Sequence, residues 1–225
     1  MYVTASPSID LDRIPMRLPA LSIAKQTTVT IKPGKHLFLE DDPADFIYEV
    51  ASGVLRLTRI MEDGRRQVIA FGYPGDIVGF PSDGRYHTDC DALVPTTLIV
   101  HRRSDLESAK GDPELHLRLL RAALGEISAM QDHFMMLGRK SSVEKLASFL
   151  MVLSERVGEP LGGYTQITLP MIRADIADFL GLTTETISRT FTQLRKAQII
   201  AIDHVNTVLI LKPVALRAIA QGDND

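Results

Sequence analysis

Residues 168–197 constrain this chain more tightly than any other stretch, because two helical runs are separated there by only Gly181-Leu182. The first run, 168–180, carries Ile176, Ala177 and Leu180 as an inward stripe. The second, 183–197, places Ile187, Phe191 and Leu194 four and three residues apart, on one face of a 3.6-residue period. Two helices joined so closely can bury both stripes only by crossing and packing on each other. Gly181 is expected to open the turn where a side chain would crowd the crossing helix. Leu182 plugs the corner, and Thr183 caps the second helix. The pattern is a helix–turn–helix.

The face of the second helix left outside carries Thr184, Glu185, Ser188 and Arg189. Glu185 and Arg189 are four apart and so share a face. That spacing has two readings. One is a solvated ion pair of about 0.3–0.5 kcal/mol. The other is a base-reading set, with arginine suited to guanine and a carboxylate accepting from the cytosine amino group in a major groove. Spacing alone does not choose between them, but the helix–turn–helix frame favours DNA.

The chain before this unit changes character once. From residue 21 to about Leu106 it reads as short strands: 46–50, 54–60, 67–71 and 96–100 are rich in β-formers. Gly53, Glu62-Asp-Gly64 and Pro74-Gly-Asp76 punctuate them as turns, the pattern of an antiparallel sandwich or roll. At Asp112-Pro113 a helix begins, with aspartate as cap and proline in the first turn. It runs to Gly138 and carries Leu120, Ala123, Ile127, Met130, Phe134 and Leu137 at alternating spacings of three and four. Such an a/d seam pairs a helix with its twin in a homodimer, or packs a helix on its own domain; the narrow stripe favours the twin. Met130, Met135 and Met136 read as packing. A further helix opens at Ser141-Ser-Val-Glu144, with capping-box spacing, and ends in a Pro/Gly-rich loop at 158–163. After the helix–turn–helix, 199–202 and 207–211 read as two short strands, a wing. The expected fold is α+β: a tail over 1–20, a β-roll over 21–112, a dimerisation helix over 113–137 and a winged helix–turn–helix over 138–225.

Composition narrows the partners and the chemistry. With 25 basic and 28 acidic residues the formal charge is −3, so no global basic footprint advertises nucleic acid and the case rests on local residues. Cys90 is the one cysteine, which excludes an internal disulfide and suits a reducing cytoplasm; it reads as a small buried hydrophobe rather than a sensor. No signal-like apolar segment opens the chain, and no run approaches the ~18 apolar residues of a membrane span. The expected location is the cytoplasm. Nucleophile-elbow, phosphate-loop, paired-carboxylate and His-Glu-x-x-His motifs are absent, which argues against an enzyme. His36, His87, His101, His116, His133 and His204 include no pair at zinc-ligand spacing, so no metal is expected. The acidic run Glu40-Asp41-Asp42 reads as a solvated turn or, alternatively, a polymerase contact.

The run Gly181-Leu-Thr-Thr-Glu-Thr-Ile-Ser-Arg-Thr-Phe191 closely resembles the helix–turn–helix of the CRP/FNR family of transcriptional regulators. The resemblance extends over nearly the whole chain, through Pro33-Gly34-Lys35, Val50-Ala-Ser-Gly53, Glu62-Asp-Gly64 and Tyr73-Pro-Gly-Asp-Ile-Val-Gly-Phe80. The Glu-x-x-Ser-Arg set and the Gly-Asp-Ile-Val-Gly-Phe run look like the FNR branch, and within it the FixK-type regulators, which lack sensing cysteines. The resemblance implies a cyclic-nucleotide-binding-like roll and a homodimer that binds double-stranded DNA and recruits RNA polymerase as an activator. It implies that Glu185, Ser188 and Arg189 read TTGAT-like halves of a TTGAT-N4-ATCAA palindrome, with Thr184 at a variable reading position. Arg173, Thr183 and Thr186 fall where relatives touch phosphate, and a helix N-terminus at Thr183 favours an anion. Arg195 and Lys196 are either further phosphate contacts or a solvated helix end.

The resemblance also marks what is missing. The glutamate that holds a cyclic nucleotide's ribose falls on Phe80, and the Arg-Ser pair for its phosphate falls on Thr88-Asp89. An aspartate there repels a phosphate. An iron–sulfur cluster needs four thiolates, and Cys90 stands alone. No cofactor is expected, and regulation would lie in how much protein is made. The competing expectation is an effector-gated relative, with a small molecule, or haem on one of the histidines, controlling DNA affinity.

Overall fold

The computed structural model describes residues 27–109 and 112–223. The tail expected over 1–20 lies outside them. Eight strands come first: β1 (Thr28–Ile31), β2 (His36–Phe38), β3 (Phe46–Ser52), β4 (Leu55–Ile60), β5 (Arg66–Gly72), β6 (Ile77–Val78), β7 (Asp89–Ala92) and β8 (Thr96–Arg102). They form two antiparallel sheets, β1-β8-β3-β6 and β2-β7-β4-β5, a roll closed around Phe38, Val50, Leu55, Leu57, Cys90 and Leu98. The four expected strands are β3, β4, β5 and β8. The short β1, β2, β6 and β7 complete the sheets. The strand-rich stretch stops at Arg102, because α1 (Arg103–Glu107) turns the chain into a short helix held by Asp105 accepting from the Arg102 N–H at 3.0 Å.

α2 (Pro113–Arg139) opens as expected: Asp112 accepts from the N–H groups of Glu114 and Leu115 at 3.0 and 3.1 Å. It is one unbroken 27-residue helix. α3 (Ser142–Val157) follows, with Ser141 and Glu144 in a reciprocal capping box. The expected Pro/Gly-rich loop is instead a hairpin of β9 (Glu159–Leu161) and β10 (Tyr164–Thr168), turning at Gly162-Gly163. The expected helix over 168–180 is accordingly shorter. Thr168 ends β10 opposite Thr207, Leu169 donates to the Asn206 carbonyl, and Pro170 has no N–H with which to start an earlier helix. α4 (Arg173–Leu180) begins only after Leu169 and Met171 are buried. α5 (Thr184–Lys196), β11 (Ile200–His204), β12 (Thr207–Ile210) and α6 (Pro213–Gln221) complete the chain, with the sheet order β11-β12-β10-β9. α6, which no sequence expectation covered, packs on α3.

One apolar core runs through both halves. Val54, Val68, Phe71 and Tyr73 of the roll cluster with Phe149 of α3, Phe179 of α4 and Ile187, Phe191 and Leu194 of α5. Phe71, Phe149 and Phe179 meet as a tilted trio with centroids 5.4–6.4 Å apart. Each such side chain contributes about 1.5–3 kcal/mol on burial. The first helix of the helix–turn–helix is therefore seated on the roll itself. Among the described residues, no helix is long and apolar enough to cross a membrane.

Candidate nucleic-acid interface

α4 and α5 meet through the stripes that define them. Ile176, Ala177 and Leu180 are buried against Ile187, Phe191 and Leu194, and Leu182 packs at the corner. Gly181 adopts φ 61°, ψ 43°, the left-handed region that a side chain enters at a cost of about 1–2 kcal/mol. The expected crowding is not the reason for glycine. A Cβ there would meet only Leu137 Cδ2 at 3.5 Å, an ordinary contact. Backbone geometry makes the requirement.

Thr183 caps α5, its hydroxyl accepting from the Thr186 N–H at 3.2 Å and lying 3.0 Å from the Thr186 hydroxyl. Beyond the cap, Thr184, Glu185, Ser188 and Arg189 all stand exposed on the outer face. Arg189 does not close on Glu185; its Nη2 leans on the Thr186 hydroxyl at 3.4 Å. Both charged ends stay available to a partner. Ser188 donates its hydroxyl proton to the Thr184 carbonyl at 2.9 Å, as Thr190 does to Thr186 and Thr192 to Ser188. With its proton so used, Ser188 offers outward a methylene, which suits a thymine methyl, and lone pairs that can accept but no proton with which to donate to a base acceptor. Gln193, exposed one turn beyond Arg189, extends the same face; its i+4 spacing is the signal that the sequence reading passed over.

The charges flanking this face come from three places. Arg195 and Lys196 are exposed in the last turn of α5, where cations also complement the helix dipole. Thr183 and Thr186 lie at its first turn. Arg173 opens α4 and lies over the buried Phe191 ring, its guanidinium carbon 3.4 Å from the centroid, and burial lowers its pKa from the ordinary arginine value. The stack fixes a half-buried cation beside the N-terminal end of the helix. All the residues expected to read bases or hold phosphate are thus gathered on or beside α5.

The seam residues of α2 divide. Leu120, Met130, Ile127 (54% exposed) and Phe134 (75%) are open, whereas Ala123 and Leu137 are half-buried, Leu137 against the Gly181 turn. Leu117 and Leu124, also exposed, widen the stripe on one side. The opposite face buries Leu119, Ala129, His133 and Met136 on the chain's own core. α2 therefore packs on its own domain with one face and leaves a second apolar face uncovered.

The roll interior differs from a nucleotide pocket in its lining. Phe38 stacks on Tyr86 with centroids 3.8 Å apart and lies 6.0 Å from Tyr48. Gly79 (φ 85°) lets the backbone pass these rings, since a Cβ there would come within 3.2–3.4 Å of all three. Phe80 packs on the small cluster of Ile47, Ile77 and Leu119. Asp89 accepts from the Glu40 N–H at 2.8 Å. Cys90 is fully buried, and burial pushes its thiol up, away from the reactive thiolate. Among the described residues, no three His, Cys, Asp or Glu side chains are grouped to hold a metal ion.

Known proteins align with both halves. The Crp-like helix-turn-helix domain model matches residues 144–219, and the cyclic nucleotide-binding domain model matches residues 28–110. The nitrogen fixation regulation protein FixK of Rhizobium meliloti is 36% identical over 97% of this chain and 99% of its own length. The transcriptional activatory protein AadR of Rhodopseudomonas palustris is 40% identical over 84% of this chain and 79% of its own length. The solved structure of FixK2 from Bradyrhizobium japonicum superposes with a TM-score of 0.78 at 33% identity, covering 86% of this chain and 96% of that one.

Proposed function

Because the chain belongs to the CRP/FNR family of transcriptional regulators and is of the FixK type, we propose that it is an activator that binds a TTGAT-N4-ATCAA-like palindrome as a homodimer and requires no effector. The observation that carries this reading is the outer face of α5, where Glu185, Ser188 and Arg189 stand exposed and uncommitted to one another. In this reading Arg189 takes the guanine of each half, Glu185 the amino group of its paired cytosine and Ser188 a thymine methyl, while Thr184 tunes a neighbouring position. Arg173, Thr183, Thr186, Arg195 and Lys196 hold the phosphates on either side and set the register. The open face of α2, around Leu120, Ile127, Met130 and Phe134, meets its twin and places two recognition helices in successive major grooves, about 34 Å apart. The functional division follows at 21–112, 113–137 and 138–225. The protein acts in the cytoplasm and recruits RNA polymerase to the promoters it occupies.

Effector independence is supported by the roll. Aromatic rings line its interior, and the family resemblance sets Phe80 where a nucleotide's ribose would need a carboxylate and Thr88-Asp89 where its phosphate would need an Arg-Ser pair. Selection of bound sequences from random DNA with purified, ligand-free protein tests the whole reading. It should return two TTGAT-like halves at one spacing. Recovery only after adding a small molecule, haem or a metal would replace the reading with an effector-gated one.

A further inference from the structure

Four arginines pin the helices to the roll at three places, and one of the pins lies directly on the DNA-reading unit. Arg118 of α2 bonds Glu49 of β3 at 3.1 Å, beside His101 of β8. Arg156 of α3 bonds Asp76 at 2.7 Å. The third pin is a network. Arg56 on β4 grips Asp91 of β7 with two bonds of 3.0 and 3.1 Å and reaches Asp175 of α4 at 2.7 Å. Arg66 on β5 reaches the same Asp175 oxygen at 2.7 Å and Asp178 at 2.7 and 3.1 Å. The Gln67 amide donates to the Asp178 backbone carbonyl. Asp175 is only 1% exposed, and its second oxygen accepts from the Ile172 N–H that opens α4. One carboxylate thus joins two strands of the roll to the first turn of the helix–turn–helix.

We propose that Arg56, Arg66, Asp175 and Asp178 are positioning residues for DNA recognition, fixing the angle of α4, and with it α5, against the roll. Apolar burial is non-directional, so the core holds α4 on the roll without by itself specifying one angle. Charge-assisted bonds of fixed direction at two points along α4 do specify one. In a dimer the roll and α2 form the frame, so the angle of each head determines the distance and rotation between the two recognition helices. The network then acts as a gauge for half-site spacing. It rests on the palindromic-dimer reading above. It also accounts for a protein that needs no effector to align its heads, since the alignment is built from its own side chains.

The test compares palindromes whose central gap is native, one base pair shorter and one longer, which moves one half-site by about 3.4 Å and about 35°. Full-length wild type should prefer the native gap by about tenfold or more. Arg66→Glu sets a carboxylate against Asp175 and Asp178, and should reduce that preference below about threefold while retaining binding to single half-sites. Asp178→Arg added to Arg66→Glu should restore the preference, and Asp178→Ala, milder should the reversal fail to fold, should lie between. Equal loss of affinity on all three gaps, with selectivity kept, would overturn the proposal and leave the network a contributor to stability alone. Tighter binding by the variants would also overturn it, since the network would then hold the heads off DNA. A wild type indifferent to the gap would instead remove the palindromic-dimer reading, and the proposal with it.

Discussion

Arg189 shows how much of the site one residue and its neighbours decide. It is exposed, its guanidinium leans on the Thr186 hydroxyl, and Glu185 stays open beside it. A guanidinium free to present two donors discriminates guanine in the major groove by about 1–3 kcal/mol. Arg189→Ala should therefore weaken binding to the cognate site by about that amount and flatten preference at the guanine, without changing preference elsewhere in the half-site. Titration against a panel of single-base variants checks it; uniform weakening across the panel would make Arg189 a phosphate contact only. This face was legible in the sequence because a helix of known phase puts positions 184, 185, 188 and 189 together. The Arg56 and Arg66 network was not. Their α4 partners lie 109 to 119 residues further on, and no local period links an arginine on a strand to an aspartate on a distant helix. What Ser188 does with its proton was equally hidden, because its carbonyl acceptor is part of the backbone.

At the scale of elements, legibility followed apolar period and punctuation. α2, α3 and α5 declared themselves through caps and stripes. β7 did not, because Asp-Cys-Asp-Ala has the composition of a loop; Arg56 and the Glu40 N–H supply the partners that let Asp91 and Asp89 lie in a sheet. The strand β10 is not legible, since its alternation is short and its partner β12 comes some forty residues later; the helix expected over 168–180 overlaps it only at Thr168. α2 carries the element-scale prediction. Its buried face and its open face are both apolar, and among the described residues nothing covers the second. Ile127→Asp places a charge in the middle of that open face, where pairing with a twin would desolvate it. The sedimenting mass should fall to that of one chain, and affinity for the palindrome should fall to that for a single half-site. The charge does not touch the core on the far side of α2, so the monomer should keep its circular dichroism. An undiminished mass would show that some other surface joins the two copies.

The whole molecule is one body because α2, α4 and the roll share a core, and His133 lies at that junction. It is 6% exposed, stacks on Phe179 at 4.3 Å and hydrogen-bonds to the Phe179 backbone. Burial holds its pKa down from the ordinary 6.5 to about 4, against the opposing pull of that hydrogen bond and with a small push from Lys145. The sign follows from which state takes the proton. Above pH 6.5 neither state is protonated at this position, and the neutral imidazole stays buried without penalty. As pH falls from 6.5 towards 4 the unfolded chain binds a proton that the folded chain refuses, so stability declines, at a slope approaching about 1.4 kcal/mol per pH unit. Glu49, whose carboxyl is held below its ordinary value by its bond to His101 and by Arg118, adds its own loss only at lower pH, below the carboxylate range near 4.5. The two contributions therefore separate. Urea unfolding at pH 7.5 and pH 5 should show wild type losing stability over that interval and His133→Gln losing distinctly less, while both lose it steeply below pH 4.5. Because Phe179 is also where α4 meets the roll, the loss should be read by the whole chain, with the strand and helix signals falling in a single transition. A variant as pH-sensitive as wild type between 7.5 and 5 would place the titrating group elsewhere.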